Sequence, residues 1–274
     1  MSVIAPRPRP LSELSPGLAR SVHGVLTDID DTLTRDGAIE PEALAALQAL
    51  RDAAIPVIAI TGRPMGWSEP FARDWPIDAI VAENGAVALF RDAQGLRIEY
   101  AQDEATRTHN AMRLRRTAQR VLAEVPGATL AQDSAGRVTD IAIDHSEFAH
   151  LSQPQIDAVL QVMRAEGMNA TVSSIHINGW YGEHDKLSGA RWIVQRLLGR
   201  VLDGETPAWA YVGDSTNDQT MFGHFPVSVG VANLMQFADR LHTWPAYLAP
   251  GERGQGFADV AGALCAARAA DKRP

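Results

Sequence analysis

Three carboxylates, Asp28, Asp30 and Asp31, follow directly on the apolar run Val22 to Leu26. If that run is a buried strand, its end crowds like charges that at about 4 Å repel by roughly 4 kcal/mol at an effective dielectric of about 20. A divalent cation with oxygen ligands removes that cost and turns the cluster into a site for phosphoryl chemistry. Two more carboxylates, Asp214 and Asp218, follow a second apolar run, Trp209 to Val212, within the segment Gly-Asp-Ser-Thr-Asn-Asp. Thr61, Gly62 and Arg63 close a third such run, and Lys186 opens a helical pattern. Ligands of an open parallel sheet collect outside the carboxyl ends of its strands, so these groups are expected to meet.

The elements that must position them alternate. A strand at 22–28, a helix at 41–54, a strand at 56–61 and a short strand at 78–82 have the rhythm of a parallel α/β sheet. Pro41 is a good first-turn residue for the helix, and Leu44, Leu47 and Leu50 at helical spacing are expected to face the sheet. From Ala86 the texture changes. Apolar segments at 86–90 and 96–100 flank the turn Asp92 to Gly95, followed by a basic helix at 103–124, strands at 128–132 and 137–144, a helix at 154–166 and strands at 168–173 and 175–178. After Gly182 the first texture returns, with a helix at 185–199, the strand Trp209 to Val212, a short helix from Asp218, the strand Val227 to Val231 and a final helix from about 257. Asp185 stands where it caps the 185–199 helix and fixes the direction of Lys186. The expected organisation is a loose, proline-rich arm over 1–20, an α/β core over 21–85 and 183–274, and an inserted α+β unit over 86–182.

Composition narrows the partners. The 274 residues are 46% hydrophobic, ample for a core, and carry a formal charge of -8, which disfavours nucleic acid. The arginines Arg113, Arg115, Arg116 and Arg120 read as the solvated face of a helix. The single cysteine, Cys265, excludes an internal disulfide framework and a cysteine-based zinc cluster, and it reads as an ordinary helix residue. No membrane span or secretory leader is visible, so the expected compartment is the cytoplasm and the expected state a monomer or homodimer.

At four places the residues resemble the haloacid dehalogenase-like phosphatase superfamily: Asp28-Ile-Asp30-Asp31-Thr-Leu, Thr61, Lys186, and Gly213-Asp214-Ser-Thr-Asn217-Asp218. The resemblance spans residues 22 to about 262 and implies a doubly wound parallel-sheet (Rossmann-like) core with an inserted α+β cap. It also implies roles. Asp28 would be the nucleophile that forms an aspartyl-phosphate, and Asp30 the acid and base. Thr61 and Lys186 would act on phosphate oxygens, with Gly62, Arg63 and Asn217 beside the substrate, Arg63 reading equally as a structural salt-bridge partner. Magnesium would be bound by Asp28, the Asp30 backbone carbonyl and Asp214, with Asp218 supporting. The presence of Asp30 is similar to the phosphatases and phosphomutases rather than to dehalogenases or transport ATPases. Asp31 departs from the commonest pattern, where glycine stands, and reads as a solvent-facing or turn-capping bystander.

The insertion resembles the larger α/β cap of class II members, the group with the Cof-type, sucrose-phosphate and mannosyl-3-phosphoglycerate phosphatases and phosphomannomutase. Ala-Glu-Asn-Gly-Ala-Val at 82–87 looks like the junction where such caps begin, and Gly-Val-Ala-Asn-Leu at 230–234 with the segment 254–260 looks like a Cof-type ending. Leaving-group recognition is then expected in the cap. His176 and Asn178, two apart on one strand face, are expected contacts for a sugar-like group, while His145, Tyr181, Glu183 and His184 read as structural. The implied activity is magnesium-dependent hydrolysis of a small phosphorylated metabolite, a sugar or polyol phosphate. The alternatives are a phosphosugar mutase and a non-catalytic phospholigand-binding protein.

Overall fold

The structure is a computed structural model that describes residues 7–271. Helix α1 (Pro16–Ser21) lies between β1 (Arg9–Pro10) and β2 (Gly24–Thr27), and a short hairpin, β3 (Thr34–Arg35) and β4 (Ala38–Ile39), precedes α2 (Pro41–Asp52). Next come β5 (Val57–Ile60), α3 (Met65–Asp74), β6 (Ala79–Ala82) and a hairpin of β7 (Val87–Asp92) and β8 (Gly95–Tyr100). The following stretch holds α4 (Glu104–Glu124), β9 (Thr129–Leu130), β10 (Asp140–Asp144), α5 (Gln153–Ala165), β11 (Asn169–Val172) and β12 (His176–Trp180). The chain returns through α6 (Lys186–Leu198), β13 (Trp209–Gly213), α7 (Gln219–His224), β14 (Val227–Gly230), β15 (Tyr247–Leu248) and α8 (Arg253–Asp271).

Among the described residues, nine strands form one sheet in the order β1-β15-β14-β13-β2-β5-β6-β7-β8. It is parallel from β1 to β6, and β7 and β8 are antiparallel additions. Strands β2, β5, β6 and β13 are buried along their whole length, which is why they read as continuous apolar runs. One face packs under residues of α1, α2 and α8, the other under α6 and α7. Strand order reverses at β2. Its Thr27 is level with Val212 of β13 and Ala59 of β5, so Asp28, Asp214 and Thr61 leave the sheet at one end and nearly one height. A separate antiparallel sheet, β11-β12-β10-β9, packs with α4 and α5 around a second core that includes Leu114, Val121, Ile143, Val159 and Ile177.

Three expectations need correction. Residues 7–20 are not loose: β1 pairs parallel with β15, and Leu11, Leu14 and Ala19 are buried in the main core. Proline there orders the chain, since Pro10 suits an edge strand and Pro16 opens α1 behind the cap formed by Ser15. Residues 1–6 of the expected arm lie outside the described residues. The hairpin over 87–100 does not open the inserted unit but extends the core sheet, with Val87 to Phe90 fully buried beside β6. A hairpin reads the same whichever sheet it joins. In α2 the sheet-facing residues are Ala43, Ala46, Leu47 and Leu50, whereas Leu44 is 41% exposed.

Candidate active site

Helix α6 starts at Lys186 because Asp185 caps it: the Asp185 side chain accepts from the Ser188 amide at 2.7 Å, and Ser188 Oγ accepts from the Asp185 amide at 2.8 Å. Two glycines let the loop after β6 cross this helix closely. A Cβ on Gly189 would lie 2.6 Å from the Gly85 Cα, and Gly85 itself has φ +108°, a region that favours glycine. So placed, Lys186 is buried and its Nζ donates to Asp28 Oδ1 at 2.6 Å and to Asp218 Oδ1 at 2.7 Å. Asp218 is also held by the Tyr211 hydroxyl and by the amides of Asp214 and Ser215, at 3.0 and 3.1 Å, on its other oxygen. A side chain at Gly213 would strike that carboxylate, so this loop needs its glycine.

Asp28, Asp214 and Asp218 present carboxylate oxygens within 4.8 Å of one another, all buried. Burial pushes Asp28 up to about 8, against Lys186 and with help from Asp218 and Asp30. Asp214 is raised well above the usual carboxylate range by burial and then by Asp28 and Asp218. Burial alone would lower the Lys186 ammonium, but Asp218 and Asp28 hold it above its ordinary value. Asp214 Oδ1 is buried without a hydrogen-bond partner. Hard oxygen donors, an orphaned buried oxygen and more negative charge than one lysine offsets fit a magnesium ion.

The loop after β5 carries Thr61, Gly62 and Arg63. Thr61 Oγ1 accepts from the Arg63 amide at 3.0 Å. Arg63 is buried and joins three segments: Nε donates to Asp30 Oδ1 at 2.8 Å, Nη1 to Asp133 at 3.2 Å, and Nη2 to Glu147 at 2.7 Å. Burial raises the Asp30 carboxyl above its ordinary value despite Arg63 beside it. His176 and Asn178 do share a face of β12, but neither lines the open cavity: His176 Nε2 meets Glu147 at 2.9 Å, and Asn178 Nδ2 donates to Gly62 O at 3.2 Å and Asp140 at 2.9 Å. Asn178 thus ties the inserted unit to the Thr61–Arg63 loop directly, and His176 does so only through Glu147, which Arg63 also holds. Asn217 braces its own loop by accepting from Ser215 Oγ at 2.8 Å. His145 and Tyr181 are buried, bonded to Ser173 O and Thr117 Oγ1.

The cavity between core and insertion has a volume of about 470 Å³, and Asp30, Arg63 and Asp214 form its floor. Its charged wall residues include three that were not indicated by the sequence: Asp36, Glu147 of the inserted unit, and Arg253 at the start of α8. Arg253 corrects the reading of Asp31, which is no bystander. Arg253 Nε donates to Asp31 Oδ1 at 2.8 Å, and Asn233 Nδ2 donates to the Asp31 carbonyl at 3.0 Å. Asp31 has φ +54°, which glycine would adopt more easily, and the ion pair accounts for the carboxylate there. The basic helix α4 is committed within the chain, as Arg116 and Arg120 pair with Glu166.

Residues 25–122 match the model of the haloacid dehalogenase-like hydrolase family. No curated protein matches the chain. Among solved structures, Thermoplasma acidophilum 0175 superposes with a TM-score of 0.67 at 16% identity, covering 89% of this chain and 98% of that one. The sucrose-phosphatase of Synechocystis, in complex with sucrose and phosphate, gives 0.62 at 17% identity with the same coverage of 89% and 98%. The C-terminal domain of the C. albicans trehalose-6-phosphate phosphatase gives 0.67 at 14% identity, covering 95% of this chain and 99% of that domain. Residues 25–122 are thus similar in sequence to the haloacid dehalogenase-like hydrolases, and nearly the whole described chain shares its fold with the structures above.

Proposed function

We propose that the protein is a magnesium-dependent phosphatase that hydrolyses a small sugar or polyol phosphate through an aspartyl-phosphate, acting in the cytoplasm. One observation carries the reading: Asp28 meets Lys186, Asp214 and Asp218 at the carboxyl end of β2, where the strand order reverses. In the first step an Asp28 oxygen attacks phosphorus, the bond from phosphorus to the leaving oxygen breaks, and Asp30 gives that oxygen its proton. In the second, water attacks phosphorus, Asp30 takes a proton from it, and the bond to Asp28 breaks to release inorganic phosphate. The raised Asp30 carboxyl suits a group that must donate a proton, and Arg63 Nε fixes its direction. Thr61 Oγ1 accepts from the Arg63 amide, which leaves its own proton for a phosphoryl oxygen. Lys186 offsets charge on nucleophile and phosphate together.

Asp28, the Asp30 carbonyl and Asp214 would hold the magnesium ion. When bound, it neutralises charge so that a carboxylate and a phosphate can approach. Asp218, its oxygens already taken by Lys186, Tyr211 and two amides, supports the loop rather than the ion directly. The sugar-phosphatase names of two structures with this fold agree with the reading. The test is release of p-nitrophenol from p-nitrophenyl phosphate with magnesium and with chelator. Turnover is expected only with the metal, and Asp28→Asn is expected to lower kcat by more than about 10³-fold. Metal-independent turnover, or a fully active variant, would overturn the proposal.

A further inference from the structure

Resting on the hydrolysis proposed above, we propose that the leaving group carries no negative charge, and that Glu147 and Asp36 select against substrates with a second anion. The cavity that opens from Asp30 and Asp214 holds the leaving group, and its charged wall residues are unbalanced. With Asp30 set aside for the proton and Asp214 for the metal ion, Asp31, Asp36 and Glu147 still face only Arg63 and Arg253, and no lysine or histidine stands among them in the described residues.

Arg63 is committed in full and Arg253 in part. Arg63 gives Nε to Asp30, Nη1 to Asp133 and Nη2 to Glu147, and it is almost wholly buried. Arg253 gives Nε to Asp31 and sets Nη1 3.6 Å from Glu252. Lys186 lies beneath, against Asp28 and Asp218, where the phosphoryl group is handled. A carboxylate or second phosphate on the leaving group would therefore enter beside Glu147 and Asp36, with Arg63 already spent on three carboxylates and Arg253 held by Asp31. Partial desolvation between core and cap strengthens that repulsion.

The same wall suits hydroxyl groups. Glu147 is fixed by Arg63 and by His176 Nε2 at 2.9 Å, and an ionised carboxylate so held keeps acceptor capacity for a sugar or polyol hydroxyl. Its acidity is enhanced: despite partial burial, His176 and Arg63 hold it down at about 2, so it stays ionised at working pH. Phe148, 61% exposed, and Phe237 add apolar surface for the carbon faces of such a molecule. Glu147 is thus a specificity-determining residue supplied by the cap, and Asp36, at the tip of the β3–β4 hairpin, reinforces it from the core.

Glucitol 6-phosphate and 6-phosphogluconate test this, because both are open six-carbon chains that differ only in a terminal hydroxymethyl or carboxylate. Each is measured as a substrate and as a competitor of p-nitrophenyl phosphate with magnesium. The expected result is a kcat/KM, or an affinity as competitor, at least about tenfold better for glucitol 6-phosphate. The ratio is expected to narrow by several-fold in Asp36→Asn and in Glu147→Gln, two variants that differ in burial so that a folding defect in one leaves the other informative. Equal or better performance of 6-phosphogluconate, or failure of both compounds to compete while the aryl phosphate is turned over, would overturn the selectivity and leave hydrolysis standing. Absence of turnover on every ester would overturn both.

Discussion

Asp28, Asp214 and Asp218 are three buried carboxylates served by one ammonium, and they share its charge unequally. Asp218 takes Lys186, the Tyr211 hydroxyl and two amides, whereas Asp214 keeps one oxygen with no partner at all. Asp214 is therefore the residue whose burial most needs a cation. Replacing it by asparagine removes charge that burial disfavours, so metal-free Asp214→Asn is expected to melt at or above the wild-type temperature. The same variant should lose the rise in Tm that magnesium gives the wild type, because only a folded site binds the ion. Thermal scans with magnesium and with chelator check both; an undiminished magnesium shift would place the ion elsewhere. These aspartates were legible in sequence because residue type and strand-end position coincide at Asp28 and again at Asp214. Asp31 was not, since its partner Arg253 lies 222 positions away and no local pattern announces a pair that distant. Glu147 was equally silent: only the docking of β12 and the Thr61–Arg63 loop gives it His176 and Arg63.

Helix α6 sets the direction of Lys186, and its first turn depends on a contact between backbones. Gly189 faces Gly85 so closely that an added methyl would lie 2.6 Å from the Gly85 Cα and 3.1 Å from Val81 Cγ1. Alanine is the better helix former by about 1 kcal/mol, yet overpacking of this kind costs about 1–3 kcal/mol, so the clash wins or cancels the gain. Gly189→Ala is expected to leave stability level or lower in urea titration and to reduce kcat by about tenfold or more, since a 1 Å displacement of Lys186 disturbs both of its ion pairs. A variant that is both more stable and fully active would show that the helix start has slack. The buried parallel strands and α6 were legible as elements, because continuous apolar runs and a capping aspartate are local signals. Helix α3 was not, since Gly66 and Pro70 interrupt its period and its order comes from packing of Trp67, Phe71 and Trp75, with successive ring centroids 4.5 and 4.6 Å apart. The hairpin β7–β8 was legible as a hairpin but not in its allegiance to the core sheet, which depends on the buried face it offers β6.

The molecule as a whole is two packed units joined by few strands of chain, and the returning linker between β12 and α6 holds a titratable group that nothing satisfies. His184 is 8% exposed, stacks on Trp180 with ring centroids 5.6 Å apart, and has no partner on either ring nitrogen. The linker is also tied by Trp180 Nε1, which donates to the His184 carbonyl at 2.8 Å. Burial lowers the imidazole from 6.5 to about 4, against a small opposing effect of Asp185. The unfolded chain therefore binds a proton that the folded chain resists between these values. Stability from this group is fully present above pH 6.5 and is lost as pH falls toward 4, by on the order of 2–3 kcal/mol. Asp28, Asp214 and Glu83, all raised by burial, act in the opposite sense over the same range, so the whole-chain profile does not isolate the histidine. The difference between wild type and His184→Phe does, because phenylalanine keeps a flat ring against Trp180 and cannot titrate. Urea midpoints at pH 7.5 and 5 should show the variant gaining on the wild type at the lower pH, with little change in its relative activity at the higher one. Parallel curves for the two proteins would mean that the linker opens or hydrates before His184 takes its proton, and that core and cap are coupled more loosely than their packing at Arg63 and Asn178 requires.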